Sequence, residues 1–264
     1  MQSQMNETEV ITSRDNSKLK LARSVRDGRE PSLIFIEGIR LFGEAMRSGL
    51  DIQHVLISSD VSDPVKLAEL PVTQRSTAFK VASRLFDSIS DTTSSQGVIA
   101  LAAKPNYALS NIPPGLTVLL HSVNNPSNLG AVVRTAEAAG VAGLITTTGS
   151  ADAFSPKALR ASMGSAFRFP IVEGFDFEEV IAWARELGLV STAADVCGQV
   201  GYTDIDWRVP RLVVFGSEAH GLDERELASI DEKILIPMEN EVESLNLAVS
   251  SGIILFEAKR QRIG

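Results

Sequence analysis

The sequence predicts an α/β protein in two parts: a small α/β module, then a larger domain whose mostly parallel sheet carries helices on both faces. Three observations lead there. Apolar runs of strand length alternate with helix-length segments, the pattern of strands joined by crossover helices. Residues 104–115, KPNYALSNIPPG, gather prolines, asparagines and a glycine into one turn-rich connector. Beyond it, three separate segments each join polar residues, glycine and a rigid turn directly to an apolar run. Such loops, placed together at one end of a sheet, build a single pocket. The reading gives a first domain over 1–103, a linker over 104–115 and a second domain over 116–264.

Bulk properties narrow the class. A chain of 264 residues, 44% hydrophobic and 22% charged, can bury a core without staples. The single cysteine, Cys197, excludes an intrachain disulfide and points to a reducing compartment. No apolar run approaches the roughly 20 residues of a membrane span. The polar start, MQSQMNETEV, lacks the apolar core of a secretory signal, so a cytoplasmic protein is expected. A net charge of −8 argues by itself against a polyanionic partner, but the charge is uneven. Residues 11–29 carry Arg14, Lys18, Lys20, Arg23, Arg26 and Arg29 against Asp15 and Asp27, and 154–170 carry Lys157, Arg160 and Arg168 with no acid. The acidic excess gathers elsewhere, as in Asp223, Glu224, Glu226, Asp231 and Glu232. Each basic stretch is either a solvated face or a phosphate-binding patch.

The elements follow in order. Residues 1–10 read as a disordered lead and 17–25 as a basic helix. A strand at 33–36 precedes a helix at 39–48, whose apolar spacing runs through Leu41, Phe42, Ala45 and Met46 and which Gly49 ends. A strand at 54–57, helices at 65–70 and 81–89 and a strand at 97–103 complete the first domain. In the second, strands are expected at 117–120, 144–147, 189–192, 212–215 and 234–236. Helices are expected at 128–139, stopped by Gly140, and at 155–163, 177–187 and 245–260. The last is apolar almost all round (Leu245, Leu247, Ala248, Val249, Ile253, Ile254, Leu255, Phe256). Such a helix has to be buried, either threaded into the core or packed against a second subunit.

His54, His121, His220 and Cys197 show no metal-ligand spacing, so no metal site is expected. His121 at a strand end and His220 in a glycine turn read as hydrogen-bonded loop residues. GxSxG, GxxxxGK[ST] and strand-linked GxGxxG patterns are all missing. In the first segment, NNPSNLGAVVR, Asn128 opens and caps a helix, and Arg134 lies about 120° around it. Arg134 sits among Ala131, Val132, Val133 and Ala136, an apolar setting that predicts burial. A buried arginine needs an anion, either Glu137 or Glu218 or a ligand. In the second segment, FGSEAHGL, Gly216 directly follows a strand and would let a ligand approach the backbone; Glu218 supplies the acid and Gly221 closes the turn. The same loop also reads as a plain strand–helix connection. In the third, Pro237 ends a strand, Ser244 is placed to cap the final helix, and Asn246 inside that helix needs a hydrogen-bond partner, a ligand being one way to supply it.

As a set, NNPSNLGAVVRTAEAAG, VVFGSEAHGL and IPMENEVESLNLAVSSGIILFEAKRQR resemble the three motifs of the SpoU (TrmH) class of RNA ribose 2′-O-methyltransferases, in order, over residues 117–262. SPKALRASMGSAFRFPI resembles the segment between them, and 11–103 the small ribosomal-protein-like substrate-binding domain that often precedes them. The resemblance implies S-adenosylmethionine as cofactor, a C-terminal trefoil knot and a homodimer formed through the C-terminal domain. It implies functional roles for Asn128, Arg134, Glu218, Ser244 and Asn246, and a cofactor held mainly by backbone at Gly216, Ile236 and Leu245. Ser217 and Ala219 depart from the Asn and Gly that many members carry. Arg14, Lys18, Lys20 and Arg23 are the expected RNA contacts, with ribosomal RNA favoured over transfer RNA. A transfer-RNA ribose methyltransferase, a non-catalytic RNA-binding protein of the same fold and a small-molecule enzyme are the competing readings.

Overall fold

The computed structural model describes residues 10–61, 78–240 and 242–263. The lead expected at 1–10 falls, but for its last residue, outside the described residues, as does the helix expected at 65–70. The chain divides into two compact units, Met1–Pro105 with Phe154–Pro156, and Asn106–Ala153 with Lys157–Gly264.

The first unit holds α1 (Ser17–Arg26), β1 (Leu33–Glu37), α2 (Ile39–Arg47), β2 (Ile52–Ser58), β3 (Ala78–Val81), the single turn α3 (Ser83–Phe86) and β4 (Val98–Ala103). Its sheet runs β1-β4-β2-β3, antiparallel except for the parallel β2–β3 pair. The helix expected over 81–89 is corrected here: Val81 ends a strand, and only Ser83–Phe86 is helical. Phe86, at the end of that single turn, and Ile89, in the turn that follows, are both buried in the core. Asn16 caps α1 through its side chain, which accepts from Lys18 N at 2.9 Å. Leu19, Ala22 and Val25, on one stripe of α1, then join Phe35, Leu56, Ile99 and Leu101 in the core.

The second unit holds β5 (Leu116–Leu120), α4 (Pro126–Ala139), β6 (Gly143–Thr147), α5 (Pro156–Ser162), β7 (Ile171–Phe175), α6 (Phe177–Glu186), β8 (Val190–Ala194), β9 (Val200–Gly201), β10 (Arg211–Phe215), α7 (Glu224–Ala228), β11 (Glu232–Leu235) and α8 (Leu247–Ile263). The strand order is β7-β6-β5-β10-β8-β11-β9, and every pairing is parallel. All residues of β5, β6 and β10 are buried, so both faces of the sheet are covered, as their mainly apolar runs require. β7, β9 and α7 were not expected. On one face α6 seats Phe177, Val180 and Ile181 against Leu119, Ile145, Val172 and Val214. Tyr107, Leu109 and Ile112, within the stretch read as a linker, also pack in this core.

A buried cation ties the late strands together. Arg211 at the start of β10 donates to Glu232 Oε2 of β11 at 2.6 Å and to Thr192 Oγ1 of β8 at 2.8 Å. The partly exposed carboxylate lets this pair keep some solvation, which limits its desolvation cost.

The final helix is only half covered. α8 packs along α4 and buries Leu247, Ser251, Ile254, Leu255 and Ala258, while Val249 and Phe256 stay 50% and 49% exposed. The two helices run in the same direction. Asn246 meets Asn128 at their amino ends, and Lys259 donates to Ala138 O at 2.7 Å at their carboxyl ends, where a cation is favoured. Beside Arg260 and then Gln261, Glu257 of α8 has its pKa lowered to about 2 and stays ionised. Among the described residues no helix is long and apolar enough to cross a membrane.

Candidate active site

The loops after β5, β10 and β11 carry the polar residues of the three segments. β5 and β10 are direct neighbours and parallel, so their outgoing loops leave from the same edge of the sheet. Pro126 occupies the first turn of α4, and Asn125 caps it, accepting from Ser127 N at 2.9 Å. Asn128 therefore does not cap the helix as expected. It lies inside the first turn, where its amide is free to bridge outward. Asn128 Nδ2 donates to Glu218 Oε1 at 3.0 Å, and Asn246 Nδ2 donates to Asn128 Oδ1 at 3.2 Å. One side chain from each segment thus joins a continuous chain, Asn246–Asn128–Glu218.

Asn246 also corrects an expectation. It precedes α8 instead of lying within it and is itself the cap, since its Oδ1 accepts from Ala248 N at 2.9 Å. Ser244, expected to cap, is an exposed residue upstream. Asn246 outcompetes it because an Asn at the residue just before the helix reaches the second free N–H.

Arg134 contradicts the burial inferred from its apolar neighbours: it is exposed on α4. Val132, Val133 and Ala136 are buried, and Arg134 falls on the opposite side of the helix. Its two proposed partners are engaged elsewhere, Glu137 with Arg168 at 2.6 Å and Glu218 with Asn128. Among the described residues Arg134 makes no hydrogen bond or ion pair. The guanidinium is therefore free to meet an anion from outside.

The 216–222 loop is tight. Ser217 and Gly221 exchange backbone hydrogen bonds at 3.2 and 2.9 Å, and Ser217 Oγ accepts from His220 N at 3.2 Å. A Cβ on Gly216 would lie 2.3 Å from Gly221 C, so no other residue fits there without opening the loop. Gly130 is similarly constrained, 2.3 Å from Ala158 O of α5. Gly216, Ile236 and Leu245 are all half-buried, on the loops after β10 and β11.

In the first unit the expected RNA contacts divide. Lys18 turns inward, its Nζ 3.3 Å from His54 Nε2 and 5.4 Å above the Phe79 ring. Burial and then the Lys18 charge lower the His54 pKa, so its ring is the neutral acceptor. Arg23 donates to Arg14 O at 2.8 Å, Lys20 pairs with Asp15 at 3.1 Å, and Arg14 is exposed.

Residues 115–256 match the model of the SpoU rRNA Methylase family. The chain belongs to the SpoU rRNA Methylase family. Residues 16–100 match the MRM3-like substrate binding domain. The chain is 30% identical to the human mitochondrial rRNA methyltransferase 3 over 290 residues, covering 88% of this chain and 68% of that protein. It is 26% identical to the 23S rRNA (guanosine(2553)-2′-O)-methyltransferase RlmP of Bacillus subtilis, over 94% of this chain and 98% of that one. A crystal structure of an AdoMet-bound rRNA methyltransferase from Sinorhizobium meliloti superposes with a TM-score of 0.83 at 30% identity, covering 96% of this chain and 97% of that one. The family match spans the three residues, Asn128, Glu218 and Asn246, that the fold joins in one hydrogen-bonded row.

Proposed function

We propose that this protein transfers the methyl group of S-adenosylmethionine to a ribose 2′-hydroxyl of ribosomal RNA. The observation that carries the reading is the Asn246–Asn128–Glu218 chain, which unites the three SpoU segments beside an exposed, unpaired Arg134. The names of the similar proteins support ribosomal RNA as substrate. The cofactor supplies an electrophilic methyl for in-line displacement. The half-buried loop positions Gly216, Ile236 and Leu245 suit a ligand held by main-chain groups.

The protein supplies position and charge. Arg134 would bind the phosphate next to the target ribose and stabilise the oxyanion that develops as the hydroxyl gives up its proton to solvent and takes the methyl group, the cofactor leaving as the neutral thioether. Asn128 and Asn246 orient the ribose from the amino ends of two aligned helices, where developing negative charge is favoured. Glu218 fixes Asn128, and Ser244, exposed two residues before Asn246, is a further group for the RNA to meet.

The first domain holds RNA, Arg14 and Lys20 contributing most, because Lys18 and Arg23 are turned to internal acceptors. Replacing Arg14 and Lys20 together by Gln should flatten the slope of log K against log salt by about 1–2. Lys18→Gln should change it least, and an equal effect from Lys18 would overturn this ranking. A second copy of the chain covers Val249 and Phe256 on α8, giving a homodimer through the C-terminal domain. The family match supports a C-terminal segment threaded as a trefoil knot, as the resemblance implies. The protein acts in the cytoplasm.

Titration calorimetry with S-adenosylmethionine, followed by methyl incorporation into ribosomal and transfer RNA, tests the reading. Cofactor binding with 2′-O-methylation of ribosomal RNA is expected. RNA binding without cofactor binding would leave only a binding protein, and incorporation into transfer RNA alone would reassign the substrate.

A further inference from the structure

We propose that His121 is a positioning residue for methyl transfer, a clamp that grips both stems of the 216–222 loop and so sets Gly216 and Glu218 in register with Asn128. The inference rests on the methyltransferase reading of that loop. His121 follows β5 directly, at the start of the segment leading to Asn128. Its backbone N–H donates to Phe215 O at 2.8 Å, the last residue before Gly216. Its ring reaches the far stem: Nε2 lies 2.9 Å from Glu226 Oε1 on α7, just after the loop. One residue therefore holds the chain on either side of the loop.

Glu226 is anchored independently. Its Oε2 accepts from Asp223 N at 2.7 Å, while Asp223 Oδ1 accepts from Glu226 N at 2.7 Å, a reciprocal cap that fixes the first turn of α7. Pulling on Glu226 thus pulls on the whole exit of the loop. The imidazole has further partners on both ring nitrogens. Nδ1 lies 3.1 Å from Thr147 Oγ1 of β6, Ser122 Oγ lies 3.2 Å from Nε2, and Phe177 meets the ring edge-on at 5.0 Å. Thr147 Oγ1 in turn accepts from Ser122 N at 3.0 Å and holds Ser122 in the left-handed region, at φ 54°. His121 and Glu226 are mostly buried, with side-chain exposures of 16% and 19%, so the bond between them is sheltered from competing water. The mechanism proposed above uses neither residue, yet together they join the loops bearing Asn128 and Glu218.

The two ring nitrogens allow a test that separates clamping from packing. In His121→Gln the amide reaches the position of Nε2 and can still bond Glu226. In His121→Asn it reaches only the position of Nδ1 and keeps Thr147 alone. The KM for S-adenosylmethionine and kcat are measured with ribosomal RNA for both variants and for Glu226→Ala. His121→Asn and Glu226→Ala should each raise KM about tenfold with kcat within about threefold, while His121→Gln stays within about threefold of wild type, and the double His121→Asn/Glu226→Ala should be no worse than either single change. Equal behaviour of the Asn and Gln variants, or wild-type KM in Glu226→Ala, would overturn the clamp. Cofactor binding by the wild-type protein tests the underlying reading separately, since a wild type that binds no cofactor sinks that reading before any variant is made.

Discussion

Arg134→Ala should lower methyl transfer into RNA by about 10²–10³-fold and leave thermal unfolding unchanged. The magnitude is that of removing one preorganised donor to a developing oxyanion. The unchanged stability follows from the structure: Arg134 is exposed on α4 and bonds nothing among the described residues. Truncating it breaks no internal pair and opens no cavity. Arg134→Lys should recover little, because an ammonium cannot make the planar double contact to phosphate. Turnover near the wild-type rate in Arg134→Ala would remove the arginine from the mechanism. A large fall in melting temperature would instead show that it serves the fold.

Gly216→Ala should raise the KM for S-adenosylmethionine about 10–100-fold. The added Cβ would sit 2.3 Å from Gly221 C, 2.5 Å from Gly221 O and 2.7 Å from Leu222 N. All three atoms are backbone, so no side chain can swing aside, and the loop has to open. Relief of such overpacking costs on the order of 1–3 kcal/mol, and here the cost falls on the loop expected to hold the cofactor. Gly221, with φ 65° and open space around its Cβ position, makes a useful contrast. Its replacement strains a left-handed turn without a clash, so Gly221→Asn, which tolerates that region, should be the milder change. Equal cofactor affinity in Gly216→Ala and wild type would sink the assignment.

The parallel sheet was legible because its central strands are buried on both faces and therefore spelled as mainly apolar runs, LTVLL, GLITT and RLVVF, with buried Thr117, Thr146, Thr147 and Arg211 the polar members. The strands that escaped notice are those lacking that burial. β7 reads IVEGF, with Glu173 and Gly174 interrupting the run and a register shift against β6. β9 is only Val200–Gly201. α7 hid in a cluster of acids, although Asp223 and Glu226 spell a capping box that could have revealed it. In the site, residue identities were legible and their local placement was not. Asn125 and Asn246 took the capping roles expected of Asn128 and Ser244, since capping depends on a one-residue register that a pattern does not resolve. The burial expected of Arg134 failed for a related reason. Apolar neighbours in sequence lie on other sides of a helix, and only the angle around α4 decides which residues meet the core.

The position of β10 bears on how the chain is made. One of its flanking strands, β5, leaves the ribosome some ninety residues before residues 211–215 do, the other, β8, only shortly before, and in the finished sheet the two never touch each other. Until the late strand arrives, each presents a bare rim of unpaired amides and carbonyls, the kind of surface on which nascent chains stick to one another. Closing that gap joins residues far apart in the polypeptide, which is a slow event. The rim of β5 that waits for β10 is therefore the part of this sheet most open to wrong pairing while the chain is being made.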